Sequence, residues 1–438
     1  MNKLTIGGRS AVKIFRDIEA AIQDGEVKRD QQLPSVRELA EQLGVNRNTV
    51  AAAYAKLRDA GLIVGSGRQG SRVVGAPFID AYRAPLQASA RDLASGNVDS
   101  RLLPDLRPFL VKLDIPPSGY ELAENDGRLL ALVKGVFEAD GIAAKSLAVT
   151  SGAMDALERA LRSRLRPGDL VAMEDPCFVS ALHLVRALGF RPVPMSLDRL
   201  GAEPSAVEAA IEAGAKAVVL TPRAQNPTGA CFTGERAKDI RRILDCHPQV
   251  LLIEDDHASS VSGSECFSAA PSIVSRPWLV IRSVSKFLGP DLRLSVLAGD
   301  ETTIARISGL QMLGPRWVSH ILQTLVWRVW SDVSTGKLIA DAAAAYSVRR
   351  IALCAALAKR GIDSQGASGL HVWVPVQRES EVVQGMLAQG WAVQAGEVFR
   401  IRSSPGIRIG IADISVSEVE SVAQAFERCM KPGKMRLI

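Results

Sequence analysis

The stretch IRSVSKFLGPDLRLS, residues 281–295, sets Lys286 among small hydroxyl residues and follows it seven positions later with Arg293. A lysine amine condenses with an aldehyde when burial or neighbouring cations keep it neutral part of the time. Ser283 and Arg293 both suit a phosphate ester, the arginine through two parallel hydrogen bonds. The chemistry suggested is capture of a phosphorylated aldehyde. Alone, SVSK reads as a surface lysine in a serine-rich loop, and the case rests on other segments.

TSGAMDAL, residues 150–157, puts Ser151, Gly152 and Ala153 at the start of a helix. Free N–H groups and the helix dipole make such a start a phosphate cradle. LLIEDDH supplies Asp255 at a strand end, where an ionised carboxylate holds a pyridine nitrogen protonated. PRAQNPTGA places Asn226 in a tight turn, able to donate to a ring hydroxyl, and Phe178 after EDPC offers a face for stacking. Each has a plain core or turn explanation. Their order along one chain carries the weight.

The elements that must position these residues are visible as periodicity. From about residue 125, helical segments alternate with the apolar runs SLAVTSG, LVAMEDP, AVVLTP, VLLIEDD and WLVIRSVS. That alternation predicts an α/β layer with a mostly parallel sheet, with ligand residues at the carboxyl ends of its strands. After Leu325 come a long helix near 335–360, the strand-like HVWVPV, another helix and FRIRSSPGIRIGIA, a smaller α+β lobe.

The N-terminal segment reads differently. Ile14, Phe15, Ile18, Ala21 and Ile22 share one helix face, and Val36, Leu39, Ala40 and Leu43 share the next. Gly44 makes a tight turn, Asn46 caps a third helix, and Val50, Ala53, Tyr54 and Leu57 face inward. LIVGSGRQGSRVV follows as a hairpin, which completes a winged helix-turn-helix. The recognition helix would present Asn46, Arg47, Asn48 and Thr49 to base edges of double-stranded DNA. Arg37, and Arg68 and Arg72 in the wing, are placed for phosphates or a minor groove. Residues 1–74 hold twelve Lys/Arg and eight Asp/Glu, so they carry +4 of the chain's net +6. Residues 75–110, with prolines and no sustained period, read as a linker.

The six cysteines show neither CxxC pairs nor metal spacing, and the five histidines form no cluster, so no metal is expected. No signal-peptide pattern opens the sequence and no apolar run reaches membrane-span length, which predicts a cytoplasmic protein.

PSVRELAEQLGVNRNTVAAAYAKLRDAGLI and the GxGRQG wing tip resemble the N-terminal domain of GntR-type bacterial regulators over nearly all of residues 10–74. The order SGAMDAL, EDPCF, NPTG, EDD, SVSK…R and GIRIG resembles the aspartate-aminotransferase family, fold type I of the pyridoxal-phosphate enzymes, over roughly residues 110–438. Fused, the two resemble a MocR-type regulator. The resemblance implies a winged helix-turn-helix domain over 1–74, a linker over 75–110 and an aminotransferase-like domain over 111–438. Within the last, a large α/β lobe runs to about 330 and a small α+β lobe begins at about 331.

It further implies that Lys286 forms the internal aldimine with pyridoxal 5'-phosphate, Asp255 pairs with the pyridine nitrogen, Asn226 contacts the phenolic oxygen and Phe178 stacks on the ring. Ser151, Gly152, Ala153, Ser283 and Arg293 would hold the phosphate, and Arg408 in PGIRIGIA would receive a ligand carboxylate. A head-to-tail homodimer is implied, with Tyr120 reaching toward the partner's cofactor. Two positions depart from the pattern. His257 stands near the ring oxygen where a tyrosine is usual, and ENDGRLLALVKGV has Leu-Ala-Leu where an arginine is common. Both bear on transamination more than on cofactor binding.

The reading that follows is a DNA-binding regulator, not an enzyme, that senses pyridoxal phosphate or an amino-acid-like compound reacting with it. Vitamin B6 synthesis or salvage genes are the expected targets. A working aminotransferase with an appended DNA-binding head is the second reading. A regulator that has lost covalent capture is the third.

Overall fold

Ile14, Ile18, Ala21 and Ile22 recur at helical spacing along α1, Ala11–Gln23, and all four are buried. In this computed structural model they pack against α2, Val36–Leu43, and α3, Arg47–Asp59. The structure describes residues 6–23, 26–28, 31–59, 62–64, 71–73, 90–117, 119–121, 123–271 and 276–430. Arg68 and residues 75–89 of the expected linker lie outside the described residues. The chain divides into two compact units, an N-terminal head and a larger body.

In the head, Ser35 caps α2 in a reciprocal box: its hydroxyl accepts from Glu38 N at 3.2 Å, and Glu38 Oε2 accepts from Ser35 N at 2.8 Å. Gly44 ends α2 at φ +63°, a left-handed conformation that costs glycine nothing, and returns its N–H to Ala40 and Glu41. The expected inward face of α3, Val50, Ala53, Tyr54 and Leu57, is at most 1% exposed. Where a two-stranded ribbon is expected, the described residues form three short strands. Gln32–Leu33 and Ile63–Val64 both pair antiparallel with Ser71–Val73. Two residues carry too little alternation to announce a strand, so the extra one was invisible to periodicity.

The body is built on an eight-stranded sheet in the order Ser146–Thr150, Ser295–Gly299, Trp278–Ser283, Leu251–Asp256, Ala215–Leu220, Leu170–Asp175, Arg191–Asp198, Gly201–Ala202. The four runs from Trp278–Ser283 to Leu170–Asp175 are parallel. Ser295–Gly299 runs antiparallel to both its neighbours. The small lobe packs helices Val333–Ala358, Glu379–Ala388 and Val419–Met430 with a sheet of His371–Pro375, Gly406–Gly410 and Gln394–Ala395.

The linker assignment needs correction from residue 90 onward. Arg91–Asp92 is a strand paired in parallel with Trp391–Ala392, Leu93 is 2% exposed, and helix Arg107–Val111 belongs to the body. The Arg91 guanidinium bonds both Asp413 and Glu418. ARDLASGNVD carries no periodicity because its order comes from backbone pairing and charge contacts across the fold, which leave no local pattern.

Candidate cofactor pocket and nucleic-acid interface

Asp255 lies near the carboxyl end of Leu251–Asp256, between parallel strands ending at Leu220 and Ser283. Its Oδ1 is buried and accepts no hydrogen bond. Burial, with Asp256 adjacent, pushes its carboxyl up to about 7. An unbonded buried acceptor costs about 1–3 kcal/mol, which a ring N–H of a ligand would relieve.

Lys286 follows the end of Trp278–Ser283, and its Nζ donates to Gly96 O at 2.6 Å. Burial, aided by the Arg408 guanidinium, lowers its amine to about 8. Burial and the same lysine hold His257 at about 4. His371, on His371–Pro375, is held well below the ordinary range by burial, Arg408, Lys286 and His257. Both imidazoles are therefore neutral at neutral pH, and His371 Nδ1 is buried without a hydrogen bond. His257 and His371 lie near enough for the one to act on the other's charge.

Arg408, on Gly406–Gly410, is 1% exposed. Its Nη1 donates to Asn226 Oδ1 at 3.1 Å, its Nη2 donates to Ala94 O, and its guanidinium lies 4.7 Å over the Phe399 ring. With Oδ1 so used, the Asn226 amide nitrogen is left as the donor toward a ligand. Phe178 packs beside Val179, Trp373 and Phe399.

The residues expected to hold a phosphate are brought to one end of the sheet by register. Ser283 pairs with Ser295, and Ser295 pairs with Thr150, so Ser283 and Ser151 lie at the same end of three adjacent strands. Gly152, at φ +96°, precedes helix Ala153–Arg164, whose N-terminus has no side-chain cap. A Cβ on Gly152 would stand 3.0 Å from Arg293 Nη2, so a side chain there would press on the guanidinium. Asp155 Oδ2 accepts from Ser151 N at 3.0 Å and is countered by Arg159 at 2.7 Å from Oδ1. The unbonded Asp255 oxygen, the Gly152–Arg293 cradle and an amine of lowered pKa fit pyridoxal phosphate. Tyr120 is elsewhere on the body: it is exposed, edge-on to Trp317 and under Arg316.

On the opposite face of Leu251–Asp256 sits a buried charge cluster. Asp256 accepts from Arg223 Nε and Nη2 and from Arg282 Nε, each at 2.8 Å, and Arg282 Nη2 reaches Asp140 at 2.6 Å. Two arginines and two aspartates draw one another's charges inside, with Asp256 held at about 2 by its guanidinium partners against its own burial.

In the head, Arg47 and Asn48 are exposed at the start of α3, and Thr49 is half-buried beside them. Asn46 Oδ1 caps the helix by accepting from Asn48 N at 2.8 Å, which leaves its amide nitrogen as a donor for a base. Arg37 is exposed and paired with Glu41, and Arg72 is exposed on Ser71–Val73. Sequence reasoning missed Ala94, Gly96, His371 and the Asp256 cluster. The only local signal was His371 opening an apolar strand run.

Residues 136–426 match the family of class I and II aminotransferases, and residues 10–73 match bacterial regulatory proteins of the gntR family. Over 421 residues the chain is 39% identical to the vitamin B6 salvage pathway transcriptional repressor PtsJ of Salmonella typhimurium, taking in 95% of this chain and 98% of that one. The chain is a MocR-type regulator of the GntR family. This MocR-type regulator is also 25% identical over 448 residues to the HTH-type transcriptional regulator TauR of Rhodobacter capsulatus, covering 90% of this chain and 91% of that one. Kynurenine aminotransferase of Pyrococcus horikoshii shares its fold at a TM-score of 0.71 and 21% identity, over 79% of this chain and 91% of that one. LysN, an alpha-aminoadipate aminotransferase of Thermus thermophilus, does so at 0.69 and 18%, over 86% and 98%. Among the described residues no group of three His, Cys, Asp or Glu could hold a metal ion, and no helix is long and apolar enough to cross a membrane.

The lowered amine of the regulator makes a kinetic prediction. With Lys286 near 8, about a tenth is neutral at pH 7 and about half at pH 8. Association with pyridoxal phosphate, followed by stopped-flow absorbance, is expected to rise about fivefold over that unit and to level off above about pH 9. A rise of about tenfold per unit continuing past pH 9 would mark an ordinary, exposed lysine.

Proposed function

We propose that this protein is a transcriptional regulator whose body takes pyridoxal phosphate as its signal and whose head reads an operator upstream of vitamin B6 genes. The carrying observation is Asp255, a buried carboxylate whose Oδ1 is unbonded, in the same body as a lysine of lowered pKa. Asp255 holds the pyridine nitrogen, and Asn226 and neutral His257 donate toward the ring oxygen. Phe178 flanks the ring. Ser151, Gly152, Ala153, Ser283 and Arg293 hold the phosphate. When bound, pyridoxal phosphate supplies an aldehyde for the Lys286 amine and an electron-withdrawing ring. Arg408 is the residue for any ligand carboxylate, though Ala94 O already occupies part of its guanidinium.

The 39% identity to a vitamin B6 salvage repressor over nearly the whole chain supports the choice of target genes. Two heads on one operator bind far better than one when spaced to fit, so a homodimer is the working unit. Arg47, Asn48 and Thr49 read base edges, and Asn46, Arg37, Arg68 and Arg72 add polar and phosphate contacts.

The test is to titrate pyridoxal phosphate while following anisotropy of a labelled duplex footprinted upstream of neighbouring genes. A ligand shifts an equilibrium only by its unequal affinity for two states, so a changed operator affinity is expected. Unchanged affinity, with the cofactor demonstrably bound, sinks the proposal. In the same assay Arg47→Ala is expected to cost about 1–3 kcal/mol of operator binding, and lost preference for the operator separates base reading from charge attraction.

A further inference from the structure

Two carbonyl oxygens of one short segment sit on two cationic groups of the pocket. Ala94 O accepts from Arg408 Nη2, and Gly96 O accepts from Lys286 Nζ at 2.6 Å. The segment is held on both sides. Before it, Arg91 N and Leu93 N donate to Gly390 O and Ala392 O at 2.8 Å each, and Leu93 O accepts from Gly410 N at 2.7 Å. After it, Asp99 N donates to Tyr346 Oη at 3.1 Å, and Asp99 pairs with Arg349 at 3.0 Å. Between these anchors, Asp92 Oδ1 accepts from both Ala94 N and Ser95 N at 2.9 Å, folding the chain into a turn. Gly96 faces the pocket closely: a Cβ there would lie 3.5 Å from the His371 ring and 3.7 Å from Arg408 Nη1.

We propose that residues 94–96 are an autoinhibitory strap whose carbonyls compete with the effector for Lys286 and Arg408. This rests on the pocket being a pyridoxal-phosphate site. When the neutral amine condenses with an aldehyde, a carbon–nitrogen double bond forms and the aldehyde oxygen leaves as water with both amine hydrogens. The nitrogen would then have at most the single hydrogen of a protonated imine in place of the amine hydrogens it offers Gly96 O. A ligand carboxylate on Arg408 would displace Ala94 O in the same way. Either event would weaken or remove a bond that is charge-assisted in the ligand-free pocket while the amine is protonated, and these are the stronger hydrogen bonds of a protein.

Hydrogen exchange of the peptide spanning residues 90–99, with and without pyridoxal phosphate, tests the strap on the full chain. Borohydride treatment and intact mass of the same samples report the Lys286 adduct. Exchange is expected to rise about tenfold with the cofactor, and to be raised without it in Lys286→Met, which has no hydrogen to donate. Asp92→Ala, which loosens the turn, and Arg91→Ala, at the surface, are expected to tighten pyridoxal phosphate binding several-fold. If the adduct forms while exchange and both variants' affinities stay at wild-type values, the strap is wrong and the pocket stands. If no adduct forms, the pocket assignment fails and the strap fails with it.

Discussion

Replacing Lys286 by alanine is expected to abolish covalent capture of pyridoxal phosphate entirely. Burial, aided by the Arg408 guanidinium, lowers its amine to about 8, so about a tenth is neutral at pH 7, whereas an exposed lysine is almost wholly protonated there. After borohydride treatment, mass spectrometry should find a reduced adduct on wild-type Lys286 and none in the variant. Non-covalent affinity should persist in part, because the Gly152–Arg293 cradle and Asp255 are untouched. The operator response to cofactor should disappear while binding to DNA without it remains. An adduct of equal yield on another lysine would overturn the assignment.

The second large effect is on stability. Asp256→Ala is expected to cost about 3–5 kcal/mol, because it leaves the buried Arg223 and Arg282 without their shared carboxylate. Asp256 is fully buried, and Asp140 stays as their remaining acidic partner. Urea unfolding should show a lower midpoint with an unchanged slope. A loss below about 1 kcal/mol would show that water or rearrangement satisfies the guanidiniums instead. A volume-matched apolar replacement of all three residues is expected to recover much of the loss, since breaking a buried pair costs more than never having it.

These two residues differ in how visible they are before folding. Lys286 stands out in SVSK because hydroxyls and an arginine follow one another in the short range that a strand end and its turn hold together. Asp256 looks like a second acid in LLIEDDH. Strand pleating sends it to the face opposite Asp255, and only the fold shows that two arginines wait there. Arg408 is a mixed case. Its presence in GIRIG is legible, but its Ala94 and Asn226 partners lie 314 and 182 positions away.

Local periodicity, caps and turn chemistry determined the head's three helices, the inward face of α3, the alternation of strands and helices in the body and the strand ends that bear Ser151, Asp255 and Ser283. Those features follow from which neighbours share a face, and that is a property of short stretches of chain. Tertiary structure alone decided the antiparallel course of Ser295–Gly299, the docking of residues 90–110 and the reach of Gly96 O to an amine 190 positions away. Such pairings are chosen by a shared core and by buried polar groups that must find partners, and neither constraint leaves a period in the sequence.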